Sequence, residues 1–78
     1  MVPRTLADLP PGTTGILRSL DTRPDLGTRL MELGFIPGAR IVAVRNAPGG
    51  NPRVYRVDGG EIALRLETAR LLRLRPSR

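Results

Sequence analysis

The chain has 78 residues, enough for one modest core, and a domain of this size buries only roughly 60% of its unfolded surface, which leaves little room for a deep catalytic cleft. It contains no cysteine and no histidine, so disulfides, thiolate metal sites and an imidazole base near neutral pH are all excluded. Thirteen basic residues against seven acidic ones give a net charge of +6. All of the basic residues are arginines scattered along the chain, as on the solvent side of strands.

In chain order, Thr5 to Leu9 is expected to form a short helical turn capped by Thr5 and ended by Pro10-Pro11-Gly12. Thr14 to Leu20 reads as a first strand. After the loop-like Asp21 to Pro24, Leu26, Leu30 and Leu33 recur at helical spacing, so one face of a short helix is expected to close over the core. Asp25 is placed to cap that helix or to favour its N-terminal dipole, and Gly27 weakens its first turn. Gly34 follows the last periodic leucine, where a helix stop needs a residue tolerant of positive φ, and Phe35 is expected to fold back on the helix end. Ile36-Pro37-Gly38-Ala39 carries Pro and Gly at the two central positions of a type II turn. Gly34, Phe35, Pro37 and Gly38 thus form a fixed junction into a second strand, Arg40 to Arg45. Its consecutive apolar residues Ile41 to Val44 predict cover on both faces.

The second half holds a breaker-rich loop, Ala47 to Pro52, then a strand from Arg53 to Val57 and a hairpin turn at Asp58-Gly59-Gly60. A half-buried strand follows in which Ile62, Leu64 and Leu66 point one way. After a tight connection through Glu67 to Arg70, Leu72 and Leu74 alternate with Arg73 and Arg75 in a closing strand. The fold class is therefore mainly β: a small five-stranded barrel with one inserted short helix and an N-terminal helical turn, closed so that no long edge is left to aggregate. The longest strongly apolar block, Ile41 to Val44, is far too short to span a bilayer, and no signal-peptide pattern opens the chain. A soluble cytoplasmic protein with no membrane insertion is expected.

Three groups of residues carry a family resemblance: Leu9, Gly12 and Gly15; the string Arg29-Leu30-Met31-Glu32-Leu33-Gly34-Phe35-Ile36-Pro37-Gly38; and Ile62-Ala63-Leu64-Arg65 with Ala69. The chain resembles the FeoA family over nearly its whole length, 1–78. The resemblance implies an SH3-like barrel, of the kind also found as the C-terminal domain of iron-dependent repressors, and a role in ferrous iron transport. It also implies a partner, the ferrous iron transporter of the inner membrane with its cytosolic GTP-binding domain, and recruitment to the inner face of that membrane.

Catalysis finds no footing in these residues. Ser19 and Ser77 have no visible activating partner, the seven carboxylates read as surface or capping groups, and no phosphate-binding GxxxxGK[ST] loop is present. Transition-metal ion binding goes with the family, yet the chain supplies only oxygen ligands; an oxygen site at Asp58 and Glu61 is the one alternative to turn-forming acids. No cofactor or metal ligand is assigned. The expected function is a non-enzymatic accessory that affects the assembly or GTPase cycle of the transporter. A stand-alone regulatory interaction domain is one alternative. A nucleic-acid-binding small barrel is another, and it would need arginines converging on one face with Phe35 or Tyr55 exposed for stacking. For partner contact, Met31 stands out as an adaptable thioether on the helix flank, with Arg29 as a charged rim and Leu26 beside them.

Overall fold

A computed structural model describes residues 2–76. Its strands are β1 (Thr14–Leu20), β2 (Arg40–Asn46), β3 (Arg53–Val57), β4 (Gly60–Leu64) and β5 (Leu72–Leu74), with helices α1 (Pro24–Glu32) and α2 (Leu66–Ala69). Two 3-10 turns, Leu6–Asp8 and Pro48–Gly50, complete the set. The strands form one antiparallel sheet in the order β4-β3-β2-β1-β5. Register shifts in β1 between Leu17 and Ser19, and in β2 between Ala43 and Arg45, mark the irregularities at which such a sheet bends.

The core is built from alternate residues of these strands, with Leu17, Ile41, Tyr55, Leu64, Leu72 and Leu74 all buried. Closure differs from expectation. Among the described residues β4 and β5 are not hydrogen-bonded to each other. The N-terminal segment links β3 to the edge strand β5 instead. Its Leu6 carbonyl accepts from Tyr55 Oη at 2.9 Å and its Ala7 carbonyl accepts from Arg53. Just before the 3-10 turn, Thr5 bridges to Arg73 of β5. The expected turn is present with Thr5 as its N-cap residue, and Asp8 completes a capping box: its carboxylate accepts from the backbone N–H of Arg4 and of Thr5, both at 3.1 Å. Those donors, the Arg4 N–H first, hold the Asp8 carboxyl below the usual carboxylate range.

Two further expectations are corrected by the packing. In β2, Ile41 and Ala43 are buried while Val42 and Val44 are only half-buried, so the strand alternates rather than being covered on both faces. Leu66 does not continue β4. It opens the one-turn helix α2, its N–H accepted by Asn51 Oδ1 at 3.0 Å, and packs on the core from there.

Candidate functional site

The junction forms as its residues dictate. At the C-terminus of α1 the Gly34 N–H donates to the Met31 carbonyl and the Phe35 N–H to the Leu30 carbonyl, both at 3.0 Å, with Gly34 at φ +109°. That is the paired hydrogen-bond pattern of a Schellman stop, which satisfies carbonyls the helix would otherwise leave open. Phe35 is wholly buried beneath it. The Ala39 N–H then donates to the Ile36 carbonyl at 2.9 Å with Gly38 at φ +93°, the arrangement of the type II turn. Reciprocal bonds lock this turn onto β1, from Gly38 N–H to the Leu17 carbonyl at 2.8 Å and from Leu17 N–H to the Ala39 carbonyl at 2.9 Å.

Burial on α1 is turned away from the leucine stripe. Leu30 and Gly27 are its buried residues, Leu26 is half-buried, and Leu33, expected on the core face, is 44% exposed. Gly27 explains the rotation. A Cβ there would stand 2.9 Å from Thr22 Oγ1, so the helix lies against the preceding loop on its glycine side. With the packed face centred between Gly27 and Leu30, at about 100° per residue Leu33 falls roughly 90° away from it. Asp25 lies in the first turn behind Pro24, with Arg23 as the N-cap residue, so it serves the dipole rather than the cap.

Met31 occupies the opposite flank and is 46% exposed. It lines a groove of ≈ 380 Å³ together with Ile36, Ala39 and Val57, rimmed by Glu32, Arg40 and Asp58. Ile36, also 46% exposed, gives this groove a second apolar wall. Sequence reasoning missed that residue because it read Ile36 only as the first position of the turn; its place between a buried aromatic and Pro-Gly was the available signal. Arg29 and Leu26 are not brought to Met31. Two residues along a helix are about 200° apart, so Arg29 is exposed on the other side of α1, nearer Leu26 and Leu33. The cation at the groove is Arg40.

Elsewhere the chemistry is committed to structure. Glu61 accepts from Arg45 and from Arg56, each at 3.0 Å, and these bonds, that of Arg45 first, hold its carboxyl below the usual range. Among the described residues no group of three or more His, Cys, Asp or Glu side chains is placed to hold a metal ion. Ser19 lies half-buried in β1, and Ser77 lies outside the described residues. Phe35 and Tyr55 are both fully buried, so neither is available to stack on a base, as nucleic-acid binding by this barrel would require.

The FeoA domain model matches residues 4–76. The chain belongs to the FeoA family. A search of curated proteins finds no significant match, but solved structures agree with the family. Iron(II) transport protein A from Clostridium thermocellum superposes with a TM-score of 0.86 at 32% identity over 94% of this chain. This chain spans only 45% of the length of that protein. The FeoA protein from Chlorobium tepidum gives 0.87 at 27% identity, covering 95% of this chain and 70% of that one. The Stenotrophomonas maltophilia FeoA, solved with zinc, gives 0.81 at 31% identity, covering 94% and 91%. That protein is described as a procaryotic SH3 domain protein and a candidate activating factor for ferrous iron transport. The FeoA-family chain is accordingly a mainly β, SH3-like fold, and none of its described helices is long and apolar enough to cross a membrane.

Proposed function

We propose that this FeoA-family chain is a non-enzymatic accessory of ferrous iron import that binds the transporter at its cytosolic GTP-binding domain and affects its assembly or GTPase cycle. The observation that carries the reading is the family match over 4–76 combined with an exposed apolar pair, Met31 and Ile36, facing a groove on the junction. The Schellman stop and type II turn are each held by backbone hydrogen bonds, so a partner meeting this groove would lose little conformational freedom in ordering it. Glu32, Arg40 and Asp58 supply a mixed-charge rim that selects register rather than bulk attraction. The proposed contact is thus Met31 with Ile36 and Arg40, and the earlier candidates Arg29 and Leu26 stand on the far flank of α1.

The test is capture of the transporter from membranes by the immobilised chain, with and without guanine nucleotide. The unaltered chain retains the transporter and Met31→Gln releases it while keeping its fold. Retention by Met31→Gln at the unaltered level would move the contact away from this groove, and no retention by either would remove the transporter as partner.

A further inference from the structure

Away from the Met31 groove, the N-terminal segment, β1 and β5 enclose a crevice of ≈ 390 Å³. Its charged lining is Arg4, Arg18 and Arg73, set among Val2, Pro3, Leu74 and Pro76, and among the described residues no carboxylate lines it. The three arginines are far apart in sequence, and specific backbone geometry brings them together. β1 and β5 pair as Leu17↔Leu74 and then Ser19↔Arg73, so Arg18 is the extra residue of a bulge. A bulge re-aims the side chain at its extra position. On the other side of β5, Thr5 bridges to Arg73 and the Leu74 N–H donates to the Arg4 carbonyl at 2.8 Å, which fixes Arg4 beside the same strand.

Compensation is thin. Asp21 accepts from Arg73 Nε at 3.4 Å, and among the described residues the side chains of Arg4 and Arg18 have no ion-pair partner. Like charges held side by side on a sheet cost stability until a counter-charge neutralises them. Guanidinium forks present paired N–H donors whose spacing matches phosphate oxygens, and three of them around one crevice favour an oxyanion carrying more than one negative oxygen. We propose that this crevice binds a phosphate-type oxyanion between Arg4, Arg18 and Arg73. Its apolar lining leaves a place for a carbon next to the phosphoryl group, so free phosphate and a phosphate ester share the chemistry this crevice recognises. This site is separate from the Met31 groove and does not depend on the transporter reading.

Two sources of that chemistry are tested side by side with the full chain: inorganic phosphate in solution, and phosphatidylglycerol vesicles with phosphatidylcholine vesicles as the uncharged control. The variant R4Q/R18Q leaves the Arg73–Asp21 pair in place, and R23Q/R70Q removes the same charge from elsewhere on the surface. Binding to phosphate or to phosphatidylglycerol is expected to weaken by about tenfold or more in R4Q/R18Q and to stay within about twofold in R23Q/R70Q. Binding in the phosphate arm identifies a soluble phosphoryl ligand, and binding in the vesicle arm alone identifies a headgroup. Equal weakening in the two variants, or no binding in either arm, overturns the proposal. Should R4Q/R18Q fail to fold, amide resonances of the unaltered chain decide. Ligand-induced shifts centred on Arg4, Arg18 and Arg73 support the site, and shifts elsewhere or none overturn it.

Discussion

The Cβ that Gly34 lacks would stand 2.9 Å from the Cβ of Asp58 and 3.3 Å from Cγ2 of Val57. The helix stop is therefore seated directly on the β3–β4 hairpin, whose own turn holds Asp58 at φ 51° and Gly59 at φ 81°. Gly34 answers two demands at once, a positive φ and close contact with the hairpin. Gly38 answers only the first, since a Cβ there would meet nothing nearer than Arg75 Nη2 at 3.8 Å.

Gly34→Ala and Gly38→Val should accordingly differ. Gly34→Ala incurs the left-handed backbone cost and must also push the hairpin away, a loss of about 2–4 kcal/mol. Gly38→Val incurs the backbone cost in open space, about 1–2 kcal/mol. For a domain of this size each kcal/mol lowers Tm by roughly 4–8 °C, so thermal unfolding resolves the two. A larger drop for Gly38→Val would mean that the hairpin yields easily to Gly34.

Gly27→Ala tests why α1 is rotated. In an exposed helix the change gains about 1 kcal/mol. Here the new methyl meets Thr22 Oγ1 at 2.9 Å, while that hydroxyl donates to the Arg23 carbonyl at 3.0 Å. The single variant should show no gain, and Thr22→Ala in the same chain should restore part of it. Additive effects in this double-mutant cycle would place the close approach elsewhere.

Tyr55→Phe removes the buried hydroxyl that ties β3 to the N-terminal turn through the Leu6 carbonyl. Leaving that carbonyl unpaired should cost about 1–3 kcal/mol. A pH signature accompanies it. Burial pushes the Tyr55 phenol up to about 12 from its ordinary 10.0, so the unfolded chain loses its proton first as pH rises. The contribution is complete below pH 10 and is lost between 10 and about 12. Denaturant titrations across that range should show this decline in the unaltered chain and less of it in Tyr55→Phe.

Much of this architecture was legible because it rests on local chemistry. The bounds of β1 and β3 follow from the breakers that flank them, and Gly34, Pro37 and Gly38 declare their turns through the φ values they permit. The errors lie where a contact outside the element decides. The leucine periodicity marks α1 as a helix, but Gly27, which has no side chain to register in a hydrophobic pattern, determines which side is buried, and Leu33 is turned outward as a result. Leu66 alternates correctly for a strand, yet Asn51 from another loop accepts its N–H and starts a helix. At the candidate site Met31 was legible as a flank residue, whereas Ile36 and Arg40 reach it only through the fold of the turn.

Met31→Gln, Ile36→Ser and Arg29→Gln separate the two flanks of α1. Met31 and Ile36 are each 46% exposed, so replacing either should move Tm by no more than about 4 °C, in keeping with the small effects of surface substitutions. If the groove is the docking surface, each of those two variants should weaken association with the transporter's cytosolic domain by about tenfold, as loss of an apolar anchor does, and should slow iron uptake in cells. Arg29→Gln, on the opposite flank, should leave association within about twofold, since it alters only a screened charge at a distance. Calorimetry with the isolated chain and the cytosolic domain measures all three. Weakening by Arg29→Gln alone would transfer the contact to the Leu26, Arg29 and Leu33 side of the helix.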